Sequence, residues 1–210
     1  MSTTSTRPHR RRTRHYGVTL IELMMFIVVV GIAVAGLLLV YSNTVRHSSD
    51  PVIRKQMLAL AESLLEEVEL MPFTYCDPDD TKAAVANSAL VGASGCASTV
   101  EATGPEPGET RYIPASAFDN VNDYAGFDTS TASPVGIADI TGNVIANLDG
   151  FRAQIATTPQ PLGPAGSTIA ATDGNGAAQV LLVTVTVTAP GGDRLSLSGY
   201  RTRYAPNAMP

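Results

Sequence analysis

Few side chains in this 210-residue chain are of types that do chemistry, and they are unevenly placed. The histidines are His9, His15 and His47, so everything after residue 47 lacks an imidazole to activate a serine or a thiol. Cys76 and Cys96 have nineteen residues between them and form no CxxC motif, which excludes a dithiol oxidoreductase of the usual kind. Two cysteines and no nearby histidine cannot make a structural zinc site. A phosphate-binding loop with its lysine is also missing, and no enzymatic activity is expected. What remains is hard oxygen. "CDPDD" carries Asp77, Asp79 and Asp80, and "FDNVNDYAGFD" carries Asp119, Asn120, Asn122, Asp123 and Asp128. Such oxygens are calcium ligands, with Asp119, Asp123 and Asp128 as candidates. The same residue types are also the ordinary material of turns and caps. "TDGNG", 172–176, has the start of a calcium loop without its distal glutamate.

One acid stands apart. Glu22 lies in "HYGVTLIELMMFIVVVGIAVAG", 15–36, five places after Gly17 and at the head of an apolar run. From Leu23 to Tyr41 there is no formal charge, and as a helix that stretch spans roughly 28 Å, close to a bilayer's hydrocarbon thickness. A charge at the centre of such a helix costs about 2.5–3.5 kcal/mol. Before the run stand Arg7, Arg10, Arg11, Arg12 and Arg14 with no acid, which the positive-inside rule keeps cytoplasmic while the rest crosses the membrane. Three readings fit. A plain signal anchor would let Glu22 sit at the interface. A secretory signal would use Ala33-Val34-Ala35 for cleavage and leave Gly36 first, although "GLLLVY" continues the apolar run beyond it. Cleavage after Gly17 would free the Val18 amine and make Glu22 the fifth residue of the new chain.

"GVTLIELMMFIVVVGIAVAG" resembles the N-terminus of type IV prepilins and pseudopilins: a basic leader, Gly, an apolar residue, Thr-Leu, Glu and an apolar helix. Gly17, Val18, Thr19, Leu20, Ile21 and Glu22 match in order, with Val18 where the family more often has Phe or Met. The resemblance implies that a prepilin peptidase of the inner membrane cuts after Gly17 and methylates the Val18 amine. It implies that Glu22 then neutralises the amine of a neighbouring pilin subunit in the filament core. Opposite charges attract strongly where water is excluded, and each alone is penalised there. "DPVIRKQMLALAESLLEEVELMPFTYCDPDD" and "FDNVNDYAGF" resemble one class within the family, the minor D-type pilin-like proteins of mannose-sensitive haemagglutinin pili. That class implies a scarce subunit that primes or caps the filament or links it to the inner-membrane assembly platform. Some pseudopilins carry calcium, which bears on the acidic patches. Alternatives are a minor pseudopilin of type II secretion and, in a different class, a signal-anchored periplasmic binding protein.

The elements that must carry these residues follow from pattern. The reading is α+β and pilin-like, with a long N-terminal helix on a small antiparallel sheet: leader 1–17, membrane-spanning or filament-core helix 18–47, amphipathic helix 48–71 and globular head 72–210. Asp50 is a good N-cap and Pro51 a good first residue for the second helix, and Pro51 either kinks one helix or separates two. Ile53, Met57, Leu60, Leu64, Val68 and Met71 recur at three- and four-residue steps as one buried stripe, while Arg54, Lys55, Glu62, Glu66 and Glu67 make a solvated face. Pro72 stops the helix. Residues 77–150 are dense in Gly, Ala, Ser, Asp and Pro and predict a long connection with few short elements. "FRAQIATT", 151–158, "QVLLVTVTVT", 179–188, and "RLSLSGYRTR", 194–203, predict three strands, the last two as a hairpin around "APGGD".

Across the membrane an even cysteine count invites a Cys76–Cys96 disulfide, worth about 3 kcal/mol by chain entropy; two buried free thiols are the alternative. Net charge is −5, and setting aside the five leader arginines leaves nine basic residues against 19 acidic. A body this acidic excludes nucleic acid as a partner. The expected location is the inner membrane with the head in the periplasm, and the exterior once assembled in a pilus.

Overall fold

The computed structural model describes residues 17–203, and of the helical stretch 43–50 only the backbone. The arginines of the leader and the Asp50 side chain lie outside that description. The first element, α1, runs from Leu20 to Leu70 as one helix of 51 residues with Pro51 inside it. The N-terminus expected at Asp50 therefore does not form, and Pro51 does not start a helix. Proline removes one i→i−4 bond and crowds the turn before it, yet the flanking turns carry the helix through. At this residue the chain divides into two compact units, Met1–Asp50 and Pro51–Pro210.

In the first unit Leu20–Ser42 is a 23-residue stretch with a mean hydropathy of 3.0 and no buried residue. It is long and apolar enough to cross a membrane, as an anchor or a signal sequence would be.

In the second unit the amphipathic end of α1 packs on a three-stranded antiparallel sheet in the order β1 (Arg152–Pro159), β2 (Val180–Thr188), β3 (Arg194–Thr202). All three expected strands form. The central strand VLLVTVTVT is β-branched at most positions, so it is stiff and suits a pleated surface. Its register places Ile155 and Leu197 beside Val185, and Ala153 and Leu195 beside Val187. These side chains face Met57, Ala61, Leu64, Leu65 and Val68 of α1 in one apolar core. The expected stripe thus packs as read, with Ala61 and Leu65 added to it. On the opposite face Thr184 and Thr186 share hydrogen bonds of 3.0 and 2.9 Å with Ser198 and Ser196. Gly199 sits mid-strand for a steric reason, since a Cβ there would lie 1.8 Å from Oε1 of Glu69 on α1. The outer edge of β1 is bonded to 126–129, through Gly126 N–H to Ile155, Ile155 N–H to Phe127 and Thr129 N–H to Ala153. Among the described residues β3 pairs with β2 alone.

The connection from Pro72 to Gly150 holds only two 3-10 turns, Pro114–Ser116 and Val121–Tyr124. Specific polar links position it. Cys76 and Cys96 form the expected disulfide, with Cα atoms 5.5 Å apart, buried with Ala83 and Ala86. The Asn120 amide donates to Thr74 Oγ1 at 2.8 Å, and Thr74 donates to the Cys76 carbonyl at 2.6 Å, a fully buried relay between the second turn and the disulfide.

Glu67 departs from the solvated face expected of it. Arg111 donates from Nε to Oε1 at 2.6 Å and from Nη2 to Oε2 at 2.5 Å, and the Tyr124 hydroxyl donates to Oε1 at 2.8 Å. Arg111 is 6% exposed and also donates to the Ala138 carbonyl. Burial pulls its pKa down, but the Glu67 carboxylate outweighs that and leaves it above its ordinary value. Removing one partner of a buried pair strands the other charge, at roughly 3–5 kcal/mol. Arg111→Ala should lower unfolding stability by that amount in denaturant titrations of the full chain in detergent. Glu62→Ala, on the exposed side of α1, should change it by less than about 0.5 kcal/mol. Equal small effects would show that the Glu67–Arg111 pair contributes nothing.

Candidate functional site

Two places carry the residues singled out above. The first is the start of α1. Gly17, Val18 and Thr19 are non-helical and exposed, and the helix begins at Leu20. Thr19 is its cap: its Oγ1 accepts the Glu22 N–H at 3.3 Å and its carbonyl accepts the Leu23 N–H at 3.1 Å. Thr-Leu-Ile-Glu is a T-x-x-E sequence of the capping-box type, and an acid in the first turn also complements the helix dipole. The T-x-x-E spacing is the sequence signal for that local role, though the resemblance to the prepilin motif accounts for the same residues differently. Gly17 has open space around it, so packing makes no demand for glycine there.

The second place is an acidic cleft in the head. The two patches read separately in the sequence converge in part. A cleft of about 420 Å³ is lined by Asp77, Asp79, Glu106, Glu109, Ser116 and Asp119, among others. Carboxylate oxygens of Asp77, Asp79 and Asp119 lie within 4.8 Å of one another, as do those of Asp77, Glu106 and Glu109, and those of Glu101, Glu106 and Asp123. Each acid is set by its loop. Asp77 and Asp79 follow the disulfide-tied Cys76. Glu106 and Glu109 share a turn in which the Glu109 N–H reaches the Glu106 carbonyl at 3.1 Å. Asp123 closes a capping box with Asn120, its Oδ2 accepting the N–H groups of Asp119 and Asn120 at 2.9 and 2.8 Å.

Two acids leave the expected sets. Asp128 does not join Asp119 and Asp123 as a calcium candidate, because its oxygens bind Arg152, the Ser130 N–H and hydroxyl, and Gln154. Those hydrogen bonds, Arg152 first, hold its pKa below the carboxylate range. Asp80 is taken up inside its own loop, accepting the N–H groups of Lys82, Ala97, Ser98 and Thr99 at 2.8 to 2.9 Å. In "TDGNG", Asp173 likewise accepts the N–H groups of Asn175 and Ala177, as turn chemistry requires.

Glu101, Glu106 and Glu109 were missed. They stand in "EATGPEPGE", whose glycines and prolines hide any periodicity, although no Lys or Arg occurs between Lys82 and Arg111 to offset them. Burial, then neighbouring carboxylates, push Glu101 up to about 10, and burial is also the first cause lifting Glu109 to about 8 and Asp119 to about 7. Asp123 rises to about 6, burial outweighing the two N–H donors on it, and Asp77 is raised for the same first cause. The nearest cation, Arg203, stacks on Phe73 and Tyr75 at 4.0 and 4.4 Å and donates to the carbonyls of Ala178 and Phe73.

These groups hold protons in the folded head that the unfolded chain has already released above about pH 5. Stability should therefore fall as pH rises from about 5.5 to 9 in chelator-treated buffer, read as the Tm of the full chain in detergent. Asp80, Asp128 and Asp139, whose pKa values are depressed, act in the opposite sense but only at more acidic pH. A Tm that is flat or rises over that window would contradict the retention of protons by these carboxyl groups. No protein-family model, no curated protein and no solved structure matches the chain.

Proposed function

We propose that the chain is a minor type IV pilin-like subunit, cleaved after Gly17 by a prepilin peptidase and built into or beneath a filament through its N-terminal helix. The single observation that supports this best is the first unit's composition and setting. A glycine with no packing duty stands three residues before an exposed 23-residue apolar helix whose first turn carries Glu22. The continuation of α1 onto a small antiparallel sheet agrees with the α+β architecture that the resemblance implies. In this reading the Val18 amine of one subunit and the Glu22 carboxylate of the next offset each other where water is excluded. The partners are the peptidase, other pilin subunits and the inner-membrane assembly platform. The mannose-sensitive haemagglutinin D-type assignment is the finer form of the proposal, and a minor pseudopilin is its nearest alternative.

A second reading has an observation of its own. Glu22 lies in the first turn of α1, where a carboxylate complements the helix dipole, and this explains an acid at position 22 locally, as a signal-anchored head would need. The mature N-terminus separates the two: N-methylated Val18 in mass spectra supports processing, and an intact leader supports the anchor.

Gly17→Ala should abolish or strongly slow cleavage and leave the leader attached, and because a Cβ at Gly17 would meet no atom of the described residues within 4 Å, the loss would report the peptidase, not the fold. Normal cleavage of a Gly17→Leu variant would refute prepilin-type processing. Glu22→Gln keeps a side chain able to serve in a capping box but loses the charge. In the filament reading it should still be inserted and cleaved while pilus number falls. Full piliation with stably expressed, cleaved Glu22→Gln would reduce Glu22 to a helix cap.

A further inference from the structure

Among the described residues, seven buried side-chain nitrogen or oxygen atoms have no hydrogen-bond partner, and four of them sit on three neighbouring carboxylates: both oxygens of Glu101, Oε1 of Glu106 and Oδ1 of Asp123. Asp123 is only 1% exposed, with Oδ2 satisfied by two backbone donors and Oδ1 by none. Buried polar atoms are nearly always paired, and an unpaired carboxylate oxygen is among the costliest exceptions. Their concentration in one spot calls for a common partner.

Two partners have the right charge. A proton shared between carboxyl groups draws two oxygens to about 2.5–2.7 Å in one hydrogen bond. No hydrogen bond reaches any of these four oxygens. A spherical ion asks for something else: several oxygens around one centre, each about 2.3–2.6 Å from it and hence up to about twice that from one another. One oxygen from each of Glu101, Glu106 and Asp123 falls within 4.8 Å of the others. Among the described residues, the N–H groups of Arg203 that are hydrogen-bonded go to the Ala178 and Phe73 carbonyls while its guanidinium stacks on Phe73 and Tyr75, and those of Arg111 go to Glu67 and Ala138, so neither guanidinium donates to the four oxygens.

We propose that Glu101, Glu106 and Asp123 are the protein ligands of a calcium-class divalent cation, bound at the buried cluster that shares Glu106 with the acidic cleft. The donor set is oxygen alone and anionic. It comes from loops able to adjust to six to eight ligands, which suits Ca²⁺ better than the rigid octahedron of Mg²⁺. Glu106 also neighbours Asp77 and Glu109, which places further carboxylates beside the open coordination positions. The ion ties together three segments with no regular pairing between them, at 101, 106 and 119–123. The site stands on these contacts and does not depend on the filament reading.

The test uses the full chain in detergent, stripped with EGTA, at about pH 7.5. CaCl₂ titrated calorimetrically should bind saturably, and at hundredfold excess over the Kd should raise Tm by roughly 5–10 °C. MgCl₂ at the same concentration should give a clearly smaller rise. Glu101→Gln is the informative variant, because neither Glu101 oxygen has a protein partner to lose. It should leave Tm in EGTA nearly unchanged and weaken calcium binding by about tenfold or more. Glu62→Gln, on the exposed face of α1, should leave both readings unchanged. No calcium heat and no Tm rise in the wild-type chain would overturn the proposal, as would equal responses to Mg²⁺ and Ca²⁺ or an unchanged affinity in Glu101→Gln.

Discussion

The head depends on one apolar seam, the stripe Met57, Ala61, Leu64, Leu65 and Val68 against the inner faces of the three strands. Each large side chain taken wholly out of water there contributes about 1.5–3 kcal/mol. The seam joins the helix to the sheet, and the long connection adds Phe73, Val121, Tyr124 and Ile137 to the same core without contributing a helix longer than a 3-10 turn or a strand. That connection is hung on the seam by a few directional links: Arg111 and Tyr124 on Glu67, Thr74 and Asn120 on the disulfide segment, and Phe118, Tyr124 and Phe127 meeting edge to face at 5.1 to 6.5 Å. The cleft is thus a product of loops held in place by partners remote in sequence.

That division explains what could be read beforehand. The strands were legible because alternation and β-branching are local properties, and the expected strand limits agree with β1, β2 and β3 to within a residue. The buried stripe was legible for the same reason, at helical period. Pro51 left two outcomes open in the sequence, and the continuous helix takes the first of them, because a helix this long absorbs one missing bond. Glu67 looked solvated because its partner lies 44 residues away, which no periodicity displays. Half of the cleft was visible as acidic patches. Which acids would be consumed, Asp80 by backbone N–H groups and Asp128 by Arg152, depended on the fold of each loop.

The two candidate sites differ in how the surroundings treat charge. Glu22 is exposed on an apolar helix, and its local explanation requires only its place in the first turn, where an acid complements the helix dipole. In the cleft, burial disfavours the ionised forms of Asp77, Glu109 and Asp119. Neither place offers an imidazole, a thiol or an activated hydroxyl, so both are suited to binding and assembly and not to bond making.

The one-sided pairing of β3 bears on solubility. A nine-residue strand with one strand neighbour offers its other edge as a template for any extended chain, the usual opening for aggregation. Here the edge is poor in the residues that would exploit it: serines alternate along it, a glycine interrupts it, and Arg201 turns toward the helix end to donate to the Met71 carbonyl at 3.0 Å. A guanidinium on the inward side of an edge strand cannot follow a second sheet into register without losing that carbonyl and being buried unpaired. The head can therefore be crowded against copies of itself without its last strand seeding a continuous sheet.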